Sequence, residues 1–223
     1  MYEAKYAPEY RKGFHPIYLL AILYVIGIYA FPFLLSAVND GLENARSESE
    51  AVIHYWPVLL PAVLGVINLA AVVILRKRLH RFYFLNCTIL IKYCLIPFFV
   101  IGGLCIALAL LLTFTPVVIM VFVGPAIAVT FSVLGWIALV GGSPYALAYA
   151  IKAKREGVHG KVLTTVACIL QFIFGADVIS VMVLSMKEGR WRKLTVAVIL
   201  LLVLAAIAAL IGVGAMILLA LQS

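Results

Sequence analysis

Charge is what this chain has least of. Only 12% of its 223 residues are Asp, Glu, Lys or Arg, against 66% hydrophobic; a soluble domain carries roughly 25% charged and 45–50% apolar residues. A water-soluble globule of this size lacks the polar surface to cover such a core. That excludes a cytosolic enzyme, a nucleic-acid module and a secreted disulfide scaffold. Acid is scarcer than base: nine Asp and Glu stand against 17 Lys and Arg, a net charge of +8. The basic residues fall in short runs between apolar segments, the pattern of cytoplasmic loops beside anionic lipid head groups. Among those runs only one interleaves a ring, Trp191, so nucleic acid is not an expected partner.

Cysteine is sparse as well. Cys87, Cys94, Cys105 and Cys168 lie inside apolar stretches without C-x-x-C spacing, which argues against a zinc site or redox pair. Cys87, Cys94 and Cys105 would share a face of one continuous helix, as small packing residues. The chain has no H-E-x-x-H, Walker A or G-x-S-x-G motif. His15, His54, His80 and His159 are scattered at the ends of apolar segments, and no Ser/His/Asp set is discernible. Asp40-Gly41 followed by Ala45-Arg46 is similar to the opening of the CDP-alcohol phosphotransferase signature. The Gly–Ala spacing is one residue too long, however, and no downstream Gly/Asp/Asp series follows, so no paired metal site can form. No catalytic residue, cofactor-binding residue or metal ligand is assigned, and the reading leans away from an enzyme.

What is present is a series of apolar runs. A helix needs about 20 apolar residues to cross a ~30 Å hydrocarbon core. Pro16 to Val38 has 23 residues without a charge, longer than a signal peptide's apolar region of roughly 7–15 residues, and reads as a retained anchor. NDGLENARSESE over 39–50 is acidic and reads as an outside loop. RKRLHR over 76–81, with Tyr55, Trp56, Pro57 and Pro61 early in the span before it, reads as a cytoplasmic loop. From Phe82 to Ile151 there are 70 residues with one charge, Lys92. A break at Thr113–Pro116 gives two spans there, with Gly124-Pro125 as a kink, Gly141–Pro144 as the exit, and Tyr145 and Tyr149 on a short interfacial segment. Breaks at Gly102-Gly103 and Gly124-Pro125 would give three.

The expected architecture is all-α: a polytopic transmembrane helix bundle of about six spans, near 16–38, 53–75, 86–112, 116–140, 162–186 and 194–221, forming one integral membrane domain over 1–223. Five and seven spans are the alternatives. With the N-terminus inside, six or seven spans both place eleven Lys and Arg inside and five outside. A re-entrant 162–186 would give 15 against one, but its 25 residues suffice for a single crossing only, so a continuous helix is expected. Ala205/Ala209 and Ala208/Gly212 in the last span have small-xxx-small spacing. Arg155-Glu156-Gly157 with Lys161 is echoed by Lys187-Glu188-Gly189 with Lys193; nothing else around the two aligns.

Two charges interrupt the apolar runs. Lys92 lies 11 residues beyond Arg81, roughly 16 Å along a helix. Asp177 lies 10 residues before Lys187, roughly 15 Å. Both are thereby placed near the midplane, where an ionisable group costs roughly 2.5–3.5 kcal/mol and faces a partner or a cavity. Lys92 and Asp177 are expected to pair, either as a register-fixing salt bridge or as a proton or cation site at Asp177 tuned by Lys92; the alternative is a Lys92 that snorkels to the cytoplasmic face. Gln171 is the third member of this candidate polar site. Asn68, Asn86 and Gln171 are expected to make interhelical hydrogen bonds. The sequence therefore supports a transport-related or accessory membrane subunit without its own ATPase. The alternatives are a structural membrane partner with no site of its own, or a membrane-embedded enzyme acting on lipid or peptide. A partner subunit or a second copy of the chain is the expected company. The expected location is the plasma (inner) membrane, with a cytoplasmic N-terminus.

Overall fold

The computed structural model describes residues 13–43, 59–114 and 119–222. Its elements are all α-helices: α1 (Ile17–Glu43), α2 (Leu60–Leu75), α3 (Arg81–Cys94), α4 (Ile96–Leu112), α5 (Met120–Arg155), α6 (Lys161–Leu170), α7 (Ala176–Glu188) and α8 (Arg192–Gln222). Several expectations fall outside the described residues: the basic residues before Gly13, loop residues 44–50, His54, the Tyr55-Trp56-Pro57 entry, and Pro116. Three stretches are long and apolar enough to cross a membrane among the described residues: Ile17–Leu34, Arg81–Leu112 and Met120–Arg155. The sequence reading treats 1–223 as one domain; the chain divides into two compact units, Met1–Val181 and Met182–Ser223.

The helix ends follow local chemistry. Pro61 occupies the first turn of α2, where its missing N–H has no partner to lose. Helices α3 and α4 run together except at Leu95 (φ −87°, ψ −4°), because Pro97 has no N–H for the carbonyl of Tyr93. At this joint the Tyr29 hydroxyl of α1 donates to the Cys94 carbonyl at 2.7 Å. The shared cysteine face is corrected accordingly: Cys87 is buried, Cys94 exposed and Cys105 intermediate. Gly102-Gly103 passes unbroken inside α4.

Helix α5 departs most from expectation. It runs 36 residues, through Pro125 and through Gly141-Gly142-Ser143-Pro144, to Arg155. The exit expected at 141–144 is absent, and Tyr145 and Tyr149 are fully buried rather than interfacial. Packing is the reason, since tertiary contacts override local propensity. The glycines are where other helices press against α5. A Cβ on Gly141 would lie 2.5 Å from the Tyr24 hydroxyl and 3.0 Å from the Gly65 Cα; one on Gly142 would lie 2.8 Å from Ile91 Cγ2. Small residues let helices approach this closely. In the first unit α5 packs on α2, α3, α4 and α6, while α1 packs on α2 and α3.

The segment 162–186 is not one helix. Helix α6 ends at Leu170, residues 171–175 form turns, and α7 starts at Ala176. Gly175 at the break has φ +76°, a conformation costly for side-chain-bearing residues. The expectation of continuity rests on length and hydropathy, neither of which registers a backbone that turns at one glycine.

The sequence echo also has a structural cause. After α5, Gly157 N–H reaches Lys154 O and Val158 N–H reaches Ala153 O; after α7, Gly189 reaches Met186 O and Arg190 reaches Ser185 O. With φ of +74° and +70° at the two glycines, these are the same Schellman helix stop, used twice.

The two kinds of glycine should respond oppositely to alanine. Gly141→Ala should destabilise the purified protein by about 1–3 kcal/mol through overpacking. At Gly102 an added Cβ would meet nothing within 4 Å, so Gly102→Ala should gain about 0.5–1 kcal/mol from helix propensity. Thermal unfolding in detergent reads both.

Candidate functional site

Ile91 and Lys92 are neighbours on α3, as are Gly142 and Ser143 on α5. The contact of Ile91 with Gly142 brings Lys92 against Ser143. The Lys92 ammonium donates to Asp177 Oδ2 at 2.7 Å and to Ser143 Oγ at 3.4 Å. Lys92 and Ser143 are each 1% exposed and Asp177 is 0% exposed. Lys92 lies in the last turn of α3 and Asp177 in the first turn of α7. Each charge thus sits at the helix end whose partial charge opposes it.

The Ser143 hydroxyl has two acceptors for its one proton, the carbonyls of Leu139 at 2.6 Å and Gln171 at 3.2 Å. It therefore ties the ion pair to the main chain at the α6–α7 break. Gln171 is buried beside it, but both atoms of its side-chain amide and Asp177 Oδ1 have no protein hydrogen-bond partner. The interhelical hydrogen bond open to a buried glutamine is thus not made by its side chain. Each such buried group costs about 1–3 kcal/mol if nothing meets it.

The structure brings Lys92 and Asp177 into contact and sets the Gln171 backbone within one hydroxyl of them. Ser143 is the residue that sequence reasoning missed. Read locally, it belongs to a helix exit; its signal is a lone hydroxyl between Gly-Gly and Pro in an apolar run. An apolar cavity of about 500 Å³ between α2 and α5 reaches Ser143, lined also by Pro61, Gly65, Trp136, Pro144 and Phe172.

Several other polar side chains find partners between helices. Asn68 donates to Gly141 O at 3.3 Å and accepts from the Tyr145 hydroxyl at 3.0 Å. The Tyr24 hydroxyl donates to Ala138 O at 2.8 Å. Asn86 donates to the Tyr18 hydroxyl at 2.9 Å. His159 is buried and lies 2.9 Å from the Tyr149 hydroxyl. Arg81 pairs with Glu156, and Lys152 donates to Leu79 O, joining the start of α3 to the end of α5. Among the described residues no group of three or more His, Cys, Asp or Glu is placed to hold a metal ion.

The fold and this cluster define an all-helical protein with helices able to cross a membrane and a buried ion pair at a helix break. The chain belongs to a family of unknown function, DUF6652, whose model matches residues 16–193. That range holds Lys92, Ser143, Gln171 and Asp177. No curated protein and no solved structure matches the chain.

Removing one partner of a buried pair strands the other charge, which costs about 3–5 kcal/mol. Asp177→Asn should therefore destabilise the protein in detergent by that order. Combining it with Lys92→Met should restore most of the loss. Strict additivity in this double-mutant cycle would mean that the two groups are not coupled.

Proposed function

We propose that this chain is a polytopic membrane protein of about six crossings with a cytoplasmic N-terminus. In this reading it resides in the plasma (inner) membrane and acts as a transport-related subunit without its own ATPase. Asp177 is its proton- or cation-binding group and Lys92 the counter-charge that holds the site when it is empty. The observation that carries this reading is the Lys92–Asp177 pair lying at the α6–α7 break with Asp177 Oδ1 unpartnered. Ionisable groups buried in apolar helices mark ion pathways and proton relays. Broken helices whose freed backbone and half-helix ends meet an ion are a recurrent device of transport sites. The 10 residues of α6 rise roughly 15 Å, half of a ~30 Å hydrocarbon core. A basic loop at the interface before Lys161 would then set the break near mid-depth. Binding a proton or cation at Asp177 raises the charge of the site by one and leaves Lys92 with the Ser143 hydroxyl as its remaining polar contact.

Two measurements test this. In a background without native cysteines, Arg78→Cys should resist a membrane-impermeant thiol reagent on intact cells while Ala45→Cys reacts; the reverse pattern overturns the orientation. In proteoliposomes with an imposed membrane potential, the wild-type chain should carry H⁺ or Na⁺ flux above protein-free vesicles. The neutral pair variant Lys92→Met/Asp177→Asn should fold and carry none. No wild-type flux, or equal flux in the variant, would sink the coupling role and leave a structural salt bridge.

A further inference from the structure

A second cavity, of about 750 Å³, lies between the C-terminal end of α5 and α6. Two cations, Lys154 and Arg155, line it together with Ile151, Ile169, Phe172 and Ile173. The geometry points to a binding site for one anionic membrane lipid, its head group on Lys154 and Arg155 and its acyl chain along the apolar wall. This inference rests on the reading of the chain as membrane-embedded, but not on any role for Asp177.

Three observations carry it. First, both cations are exposed, and the adjacent acid, Glu156, is engaged by Arg81. Among the described residues no ion pair neutralises Lys154 or Arg155. Second, the cavity is amphiphilic along its length. Its α6 wall runs from Thr164 to Ile169, roughly 8 Å at helical rise, and continues through Phe172 and Ile173 in the turns after α6. Ile151, Ile169, Phe172 and Ile173 are 39–58% exposed along it, a surface that suits a hydrocarbon chain and not water. Third, the threonines in the wall offer no donors. The Thr164 hydroxyl donates to Gly160 O at 3.1 Å and that of Thr165 to Lys161 O at 3.0 Å. An inorganic anion would find two cations at one end and hydrocarbon elsewhere. A lipid phosphate with its chain matches both parts. Basic pockets between membrane helices recognise anionic head groups in this way.

Cys168 lines the same cavity and reports on its occupancy. The test uses the full chain purified in micelles doped with phosphatidylglycerol, with phosphatidylcholine, or with inorganic phosphate alone. Alkylation of Cys168 by an apolar maleimide is followed by mass spectrometry of the Cys168 peptide, so the other cysteines can stay. Phosphatidylglycerol should slow the alkylation and raise the melting temperature; phosphatidylcholine and phosphate should do neither. In Lys154→Gln/Arg155→Gln, the phosphatidylglycerol needed for half protection should rise roughly thirtyfold, a factor of about five for each basic group lost. Both residues are exposed, so the variant should fold, and its melting temperature without added lipid checks this. Equal protection by phosphatidylcholine removes the charge recognition. Protection by phosphate alone makes this a free-anion site. Unchanged protection in the double variant, or stabilisation without slower alkylation, places the lipid elsewhere. Each of these outcomes overturns the proposal while leaving the flux measurement on Asp177 untouched.

Discussion

Backbone-to-backbone approach at two glycines sets the rest of the first unit. Where Gly65 of α2 meets Gly141 of α5, an added Cβ would come within 2.9–3.0 Å of the facing Cα. One residue further, Gly142 receives Ile91 of α3. The next residue on each helix is a functional candidate, Ser143 on α5 and Lys92 on α3. The position of the ammonium therefore follows from helix packing rather than from the reach of a long side chain. In a medium as apolar as the helices themselves, packing of small residues and interhelical hydrogen bonds hold a bundle together. Here both occur in one place. The Tyr24 hydroxyl packs on Gly141 and donates to Ala138 O, and Asn68 donates to Gly141 O.

Two classes of buried polar group stand side by side in this unit, and their contrast bears on function. Asn68 is matched at both amide atoms by Gly141 O and Tyr145, as a structural residue in an apolar interior should be, because an unmet polar group there is expensive. Gln171 has the same chemistry and the same burial, yet neither amide atom is met, and Asp177 Oδ1 is unmet too. A salt bridge whose only task was register would gain from closing these bonds. The Lys92–Asp177 cluster thus holds buried donors and acceptors that the described residues do not meet, whereas both amide atoms of Asn68 are met.

The ion pair is legible in the sequence because charge is so rare. From Ala51 to Arg155 the chain has no acid, so a lysine buried in that stretch must find its counter-charge elsewhere. Asp177, alone among apolar neighbours at a similar distance from a basic run, is the natural choice. The helix break is partly legible: Gln171, Gly175, Asp177 and Ser180 already form a polar stretch. What is not legible is geometry that depends on neighbours. Gly141–Pro144 reads as a breaker locally and becomes a helix interior only because Tyr24, Gly65 and Ile91 press on it. Pro97 interrupts a helix that hydropathy alone runs through. Ser143 has no meaning as a site residue until Ile91 fixes the register of α3 on α5.

The repeated helix stops make a related point about what local sequence can say. Glu-Gly after a basic residue ends α5 and α7 in the same Schellman turn, although the surrounding residues differ. A glycine that accepts positive φ and two backbone hydrogen bonds suffices to define the stop, and that requirement is local enough to recur without common descent of the segments. Gly175 shares the positive φ but sits between two apolar halves, with Gln171 before it and Asp177 after it. The same backbone property therefore serves as a stop when basic residues follow, and as an interruption within an apolar segment when polar residues flank it. The flanking side chains, not the glycine, distinguish a loop end from a break inside an apolar segment.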